Sequence, residues 1–273
     1  MRIFPLACAA VMSGGALFAE FHVKPDANTL WLEDGKAISG WRDDQLAFAS
    51  AEPGPGFTVT STDYKNYSGG RRTPVNVDYP WVVYEVTAVQ PNAKYVSRAM
   101  GYNGHFHGQV SNLQPGIFVW NIYAENPQLP ASGGAFLNLH AHGHTAEFKY
   151  LKAVKLPDQY IVVSTPDPAA VNPGDTVKFS VHLAQPAEDV SLQFYDSYTM
   201  PRLLLNGQDK LQLKPEDEAG KIWSAEVKIA SLGNKPEYKY NAIWVKAVIL
   251  GGDVSVPVWT PIRPVWHNTE VKK

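Results

Sequence analysis

Apolar residues along this chain recur in short runs and in alternation, and nowhere at the sustained three-and-four spacing of a long amphipathic helix. Alternation with period two places side chains on opposite faces of an extended strand, so such runs predict half-buried β-strands. The first half offers them at 57–61, 81–89, 95–101, 117–124, 135–142 and 147–154. A second series follows at 160–164, 176–183, 190–195, 223–228, 242–250 and 254–259. Turn chemistry separates the runs, at 53–56 (PGPG), 68–70 (SGG), 114–116 (QPG), 172–174 (NPG) and 250–253 (LGGD). Short strands punctuated this way build sandwiches and jelly rolls rather than alternating strand–helix units. The expected fold class is therefore all-β, with one β-sandwich following another.

The first nineteen residues depart from this texture. Arg2 supplies a positive start, 4–19 is uncharged and rich in apolar and small residues, and Ala16 and Ala19 offer cleavage points. This reads as a secretory signal over 1–19 and predicts a periplasmic or secreted protein. Cys8 is the only cysteine and falls inside that segment, so the mature chain is expected to have neither disulfides nor thiolate zinc ligands. Beyond it, a boundary near 156–168 divides the chain into an N-terminal sandwich, 20–157, and a C-terminal one, 158–273. A net charge of −2 argues against nucleic acid and anionic membranes as partners, and no second apolar segment suits a membrane span. The 21 prolines, 21 glycines and 12% aromatic residues suit an all-β chain with many turns.

Gly40 and Trp41, the segments 79–88 (YPWVVYEVTA) and 116–123 (GIFVWNIY), and a closing strand at 147–154 (EFKYLKAV) set the character of the first half. In strand order and texture it resembles the galactose-binding-like jelly rolls, which include many carbohydrate-binding modules. The segment 171–179 (VNPGDTVKF) opens a region that resembles bacterial immunoglobulin-like modules. The resemblance implies a glycan-recognising jelly roll followed by a structural immunoglobulin-like sandwich, and it carries no site over residue by residue. The strand-embedded Trp81 and Trp120 read as core residues of the first half, and Trp223 and Trp244 as core residues of the second.

Five of the eight histidines fall in two clusters, His105 with His107, and His140 with His142 and His144. Residues two apart on one strand face share a side and lie about 6.5–7 Å apart. Such a row of imidazoles can contact a polar ligand, or bind zinc or copper with a position left open. The glutamate expected after a cupin-like histidine pair is missing, since 108–112 reads GQVSN. A glycan surface also wants an aromatic ring and bidentate cations, for which Trp41, Tyr102 and Arg98 are candidates, with Tyr64, Tyr67, Arg71 and Arg72 nearby in sequence. Asp43, Asp44, Asp63 and Asp78 are candidates for a structural calcium. The acidic run 216–218 (EDE) reads as a solvated loop.

Catalytic signatures are thin. No G-x-S-x-G occurs, the carboxylates are scattered, and the lone cysteine lies in the leader. The leading reading is an exported, non-catalytic protein that binds a glycan or similar polar ligand. Trp41, Arg98, Tyr102, His105, His107, His140, His142 and His144 are its contact residues. The second reading makes the five clustered histidines zinc or copper ligands in a periplasmic metal-binding protein. The third is a polysaccharide lyase that places Tyr102, His105, His107 and Arg98 around a uronate, and a purely structural role in the envelope is a fourth.

Overall fold

Residues 81–90 and 145–154 are dominated by valine, tyrosine, phenylalanine and tryptophan, which suit a pleated surface packed on at least one side. In the computed structural model they become the two long strands at the heart of a large sheet. The structure describes residues 26–35, 47–51, 55–60, 68–72, 75–90, 100–102, 114–122, 136–140, 145–166, 171–196, 202–232, 243–251 and 256–262.

Every strand among them can be named in chain order. The first half contains β1 (Thr29–Glu33), β2 (Ala47–Ser50), β3 (Phe57–Thr60), β4 (Ser68–Arg72), β5 (Trp81–Gln90), β6 (Met100–Tyr102), β7 (Gly116–Asn121), β8 (Phe136–His140) and β9 (Thr145–Val154). The second contains β10 (Tyr160–Ser164), β11 (Thr176–His182), β12 (Asp189–Asp196), β13 (Arg202–Leu203), β14 (Leu211–Gln212) and β15 (Lys214–Pro215). It closes with β16 (Ile222–Lys228), β17 (Ile243–Leu250) and β18 (Val258–Ile262). The protein is all-β and sandwich-built.

The main sheet runs β13-β12-β17-β18-β7-β5-β9-β3-β2, with β1 against β9 and β14 against β12. It therefore crosses from one half of the sequence to the other without a break. The crossing is the parallel pair β18–β7, with Val258 beside Ile117 and Trp259 beside Phe118. Two further hydrogen bonds hold it: Ile117 N donates to Pro257 O at 2.9 Å, and the buried Thr260 Oγ1 donates to Val119 O at 2.8 Å. A four-stranded sheet, β10-β11-β16-β15, and a three-stranded sheet, β4-β8-β6, complete the sheets among the described residues.

Alternation along the central strands divides the interior into two cores, one on each face of the main sheet. Val82, Tyr84, Phe118, Trp120, Phe148, Trp244 and Trp259 belong to one core. Their strand neighbours Val83, Val119, Ile243, Val245 and Val258 belong to the other, together with Val177, Phe179, Val181 and Trp223 from the four-stranded sheet. Strands β5, β7, β17 and β18 are thus packed on both faces, which explains their near-continuous apolar sequences. In the first core Tyr84, Phe118 and Trp259 stack in register across three strands. Tyr84 and Phe118 lie 4.8 Å apart at 3°, and Phe118 and Trp259 lie 5.7 Å apart at 6°.

Four expectations from sequence change here. Trp244 is fully buried but faces the first core, edge-on to Phe118 at 5.4 Å, because its neighbours Ile243 and Val245 claim the second. Trp81 is only partly buried, since it opens β5 at the rim of the second core. Residues 68–70, read as a turn, form the start of β4 and pair with 138–140 of β8. The last strand starts at Val258 rather than 254, after Pro257, whose missing amide cannot serve a ladder. Gly116 opens β7 with φ of +152°, and a Cβ there would meet Trp259 Nε1 at 2.5 Å.

Candidate functional site

The structure treats the residues singled out from sequence unequally. Trp41, Arg98, His105, His107, His142 and His144 lie outside the described residues, as do Tyr64, Tyr67, Asp43, Asp44 and Asp63. Tyr102 closes β6 and pairs with Leu137, and His140 closes β8 and pairs with Ser68. Because β6 and β8 are antiparallel neighbours, these two backbone positions stand at opposite ends of the same small sheet. Arg71 on β4 pairs with the same Leu137 that Tyr102 pairs with, so the three share one register row. Asp78 is exposed in the turn before β5, where its amide donates to Asn76 Oδ1. Among the described residues no group of three or more His, Cys, Asp or Glu side chains is placed to hold a metal.

A different constellation assembles where the chain passes from the main sheet to the four-stranded sheet. Trp81 begins β5 and pairs with Val154, the last residue of β9. Tyr160 begins β10 and pairs with His182, the last residue of β11. Strand direction therefore gathers three partly exposed rings at one end of the two layers. Tyr160 and His182 stack at 4.5 Å and 5°, and Trp81 leans against Tyr160 at 5.6 Å and 48°. Trp81 and Tyr160 pack against the rim of the second core. With His182 they form an aromatic ledge of three partly exposed rings.

Polar groups continue the ledge along the same face of β5 and β9. Glu85 is buried and pairs in register with Tyr150, which donates a hydrogen bond to its carboxylate. Lys149 Nζ approaches both Glu85 oxygens at 3.3 Å. Lys152 Nζ lies 5.2 Å from the centre of the Tyr150 ring and 3.7 Å from Asp158 Oδ2. Burial, then the charges of Glu85 and Asp158, pushes the Tyr150 phenol far above its ordinary pKa, so it remains a donor. Burial also holds the His182 imidazole below its ordinary value, against the pull of Glu216 and Asp217. The ring is neutral at pH 7, with one nitrogen to donate and one to accept.

On the outer face of the four-stranded sheet, Glu216 accepts from Lys178 and from Ser224 Oγ at 2.7 Å. Asp217 accepts the Lys221 and Ile222 amides at 2.8 and 2.9 Å, so the acidic run is an ordered turn rather than a bare loop. These charges stand beside His182 and complete the polar border. The set combines carboxylates, ammonium groups, a phenol and ring surface.

Sequence reasoning missed most of this set. Tyr160 and His182 sit on the polar side of their period-two patterns, so their exposure was readable, but the pairing that stacks them joins separate strands.

No family model matches the chain, and no curated protein matches it. Similar solved structures include a β-glucuronidase from Bifidobacterium dentium complexed with coumarin-3-O-glucuronide, at 9% identity and a TM-score of 0.29, over 90% of this chain and 50% of that one. The chain thus spans half the length of that enzyme. Another is a tandem CBM22 domain from Paenibacillus barcinonensis Xyn10C, at 10% identity and a TM-score of 0.27, covering 91% and 94% of the two chains. A third is a DUF4785 family protein of Legionella pneumophila, at 9% identity and a TM-score of 0.27, covering 89% and 69%.

Proposed function

We propose that this is an exported binding protein that recognises a glycan without turning it over, and that the ledge of Trp81, Tyr160 and His182 is its contact surface. The observation that supports the reading is the cluster of three partly exposed rings, with the Glu85–Tyr150–Lys149 set further along β5 and β9. A sugar presents an apolar C–H face and a ring of hydroxyls, and this surface offers a counterpart to each. The leader-like 1–19 segment supports export. The jelly-roll-like sequence of the first half also supports the reading. The clustered histidines, with Trp41, Arg98 and Tyr102, stand as a second contact surface on the same reading.

The test is calorimetric titration of the mature protein against a panel of neutral and acidic oligosaccharides, with Trp81→Ala and Glu85→Gln as variants. At least one panel member should bind, and each variant should weaken it by about tenfold, the scale of one lost ring contact or one charged hydrogen bond. Binding that survives both variants but disappears in a His140→Ala/His142→Ala double variant would move the contact surface to the histidine segments. Silence across the panel would sink the reading. An unsaturated sugar product after incubation would replace binding with lyase chemistry.

A further inference from the structure

The aromatic row of the first core ends in a cation. Tyr84, Phe118 and Trp259 continue in register to Lys246 on β17 and Gln193 on β12, so one line of side chains runs from the buried interior to an open sheet face. Lys246 Nζ lies 4.8 Å from the Trp259 ring centre and 6.0 Å from that of Tyr195. Tyr195 packs on Trp259 at 5.3 Å and donates its hydroxyl to Gln193 Oε1 at 2.8 Å. The next strand, β13, places Arg202 directly opposite Tyr195. Arg202 Nη2 reaches Asp209 Oδ2 at 3.3 Å, and its Nε and Nη2 donate to Asp209 O at 3.1 and 2.8 Å.

Two cations therefore flank one half-buried corner around Tyr195, and among the described residues only Arg202 has a carboxylate partner. Among the described residues, no Asp or Glu makes an ion pair with Lys246. Burial and the charge of Arg202 both lower the Lys246 pKa, which reports an ammonium held against its own preference for water. Aromatic faces offset part of that cost, but they give its N–H groups nothing to donate to in the plane of the sheet. The corner is on the opposite face of the main sheet from the aromatic ledge, because Gln193 and Tyr195 alternate with Leu192 and Phe194 of the second core.

The geometry points to an oxyanion site at this corner. A carboxylate or sulfate bridges Lys246 Nζ and the Arg202 guanidinium, and the Gln193 amide and Tyr195 hydroxyl border it. The Arg202 guanidinium keeps its charge with its Nε–Nη2 edge held by Asp209, and together with a point-charge ammonium it suits a planar or tetrahedral oxyanion better than a neutral polyol. The anion is either a free inorganic ion or the acidic group of a saccharide, and the site is independent of whether the ledge binds sugar.

Amide NMR titration of the full chain separates these cases, with inorganic sulfate, trigalacturonate and neutral galactotriose as probes. Sulfate and trigalacturonate should shift the Gln193, Tyr195 and Lys246 resonances, weakening as salt rises, and galactotriose should not. Lys246→Gln should weaken anion binding about tenfold or more, whereas Lys246→Arg should stay within about threefold. Asp209→Asn removes the carboxylate charge beside Arg202 while keeping the two hydrogen bonds to the Asp209 main-chain oxygen, and should tighten binding about threefold or more, a gain that misfolding cannot produce. Trigalacturonate binding more than about tenfold tighter than sulfate identifies an acidic saccharide as the source, and equal binding identifies a free oxyanion. Shifts that are the same in wild type, Lys246→Gln and Asp209→Asn mean an adventitious ion only and overturn the proposal, as does silence with both anions.

Discussion

Trp259 belongs by sequence to the C-terminal half, yet its ring is fully buried in the core built mainly by the N-terminal half. Replacing it with alanine removes a ring burying about 150–250 Å², worth roughly 4–6 kcal/mol at about 25 cal/mol per Å² as an upper bound. The stack on Phe118 and the contact with Tyr195 add about 0.5–1.5 kcal/mol each beyond area. Partial collapse around the cavity takes some of this back, and measured Phe or Trp to Ala changes centre on about 3–5 kcal/mol. A loss of about 4 kcal/mol is therefore expected, a large fraction of the roughly 5–15 kcal/mol that holds a domain together. Urea unfolding followed by circular dichroism gives the total. Hydrogen exchange gives its location, which is the sharper test. In Trp259→Ala the amides of β5 and β7 should lose protection along with those of β17 and β18. Trp223→Ala, in the other core, should spare Tyr84 and Phe118 relative to Val177 and Val181. If Trp259→Ala loosens only residues beyond 158, the ring does not join the halves and the reasoning fails.

Two further outcomes follow from local geometry. Gly116→Ala puts a Cβ 2.5 Å from Trp259 Nε1 and 2.9 Å from Pro257 O, at a φ that side chains avoid. It should cost about 1–3 kcal/mol in chemical denaturation, and a neutral substitution would show that β18 sits against β7 more loosely than described. His182 is held neutral by burial, so its folded pKa is below its unfolded one near 6.5. The stability it contributes is present above that value and is lost as pH falls through it towards the folded pKa. His182→Gln should flatten the decline of the urea midpoint between about pH 7.5 and pH 5, and an unchanged difference between the two proteins would count against the buried neutral ring.

Strand positions were legible wherever period-two alternation or an apolar run met a turn. The 160–164 run coincides with β10, and 81–89 falls inside β5. Legibility failed where side chains carry no pattern. Gly69 and Gly70 lie in β4 with nothing to alternate, and their glycines signalled a turn instead. It failed again for β18, whose partner β7 lies about 140 residues earlier, a separation at which no local rule speaks. Trp244 illustrates the same limit. Its burial was readable, but which of two cores it enters is decided by the faces its neighbours already occupy. The ledge had a similar fate. Tyr160 and His182 showed their exposure in the alternation, while their stacking depends on the β10–β11 register. The corner of Lys246 and Arg202 gave no sequence signal, since a lone lysine in a strand ordinarily marks a solvated face.

The unbroken main sheet also bears on how such a chain can be inherited. Many two-part proteins travel as cassettes, with each part closing its own surface before it meets the other. Here a cut near Leu156 would leave one fragment without the indoles of Trp244 and Trp259. The other would lack the valines at 83, 119 and 154. Shuffling either part onto a new neighbour would carry an open wound of apolar surface, so recombination at that junction should be selected against. The unit that selection can duplicate, move or lose is the whole length from β1 to β18.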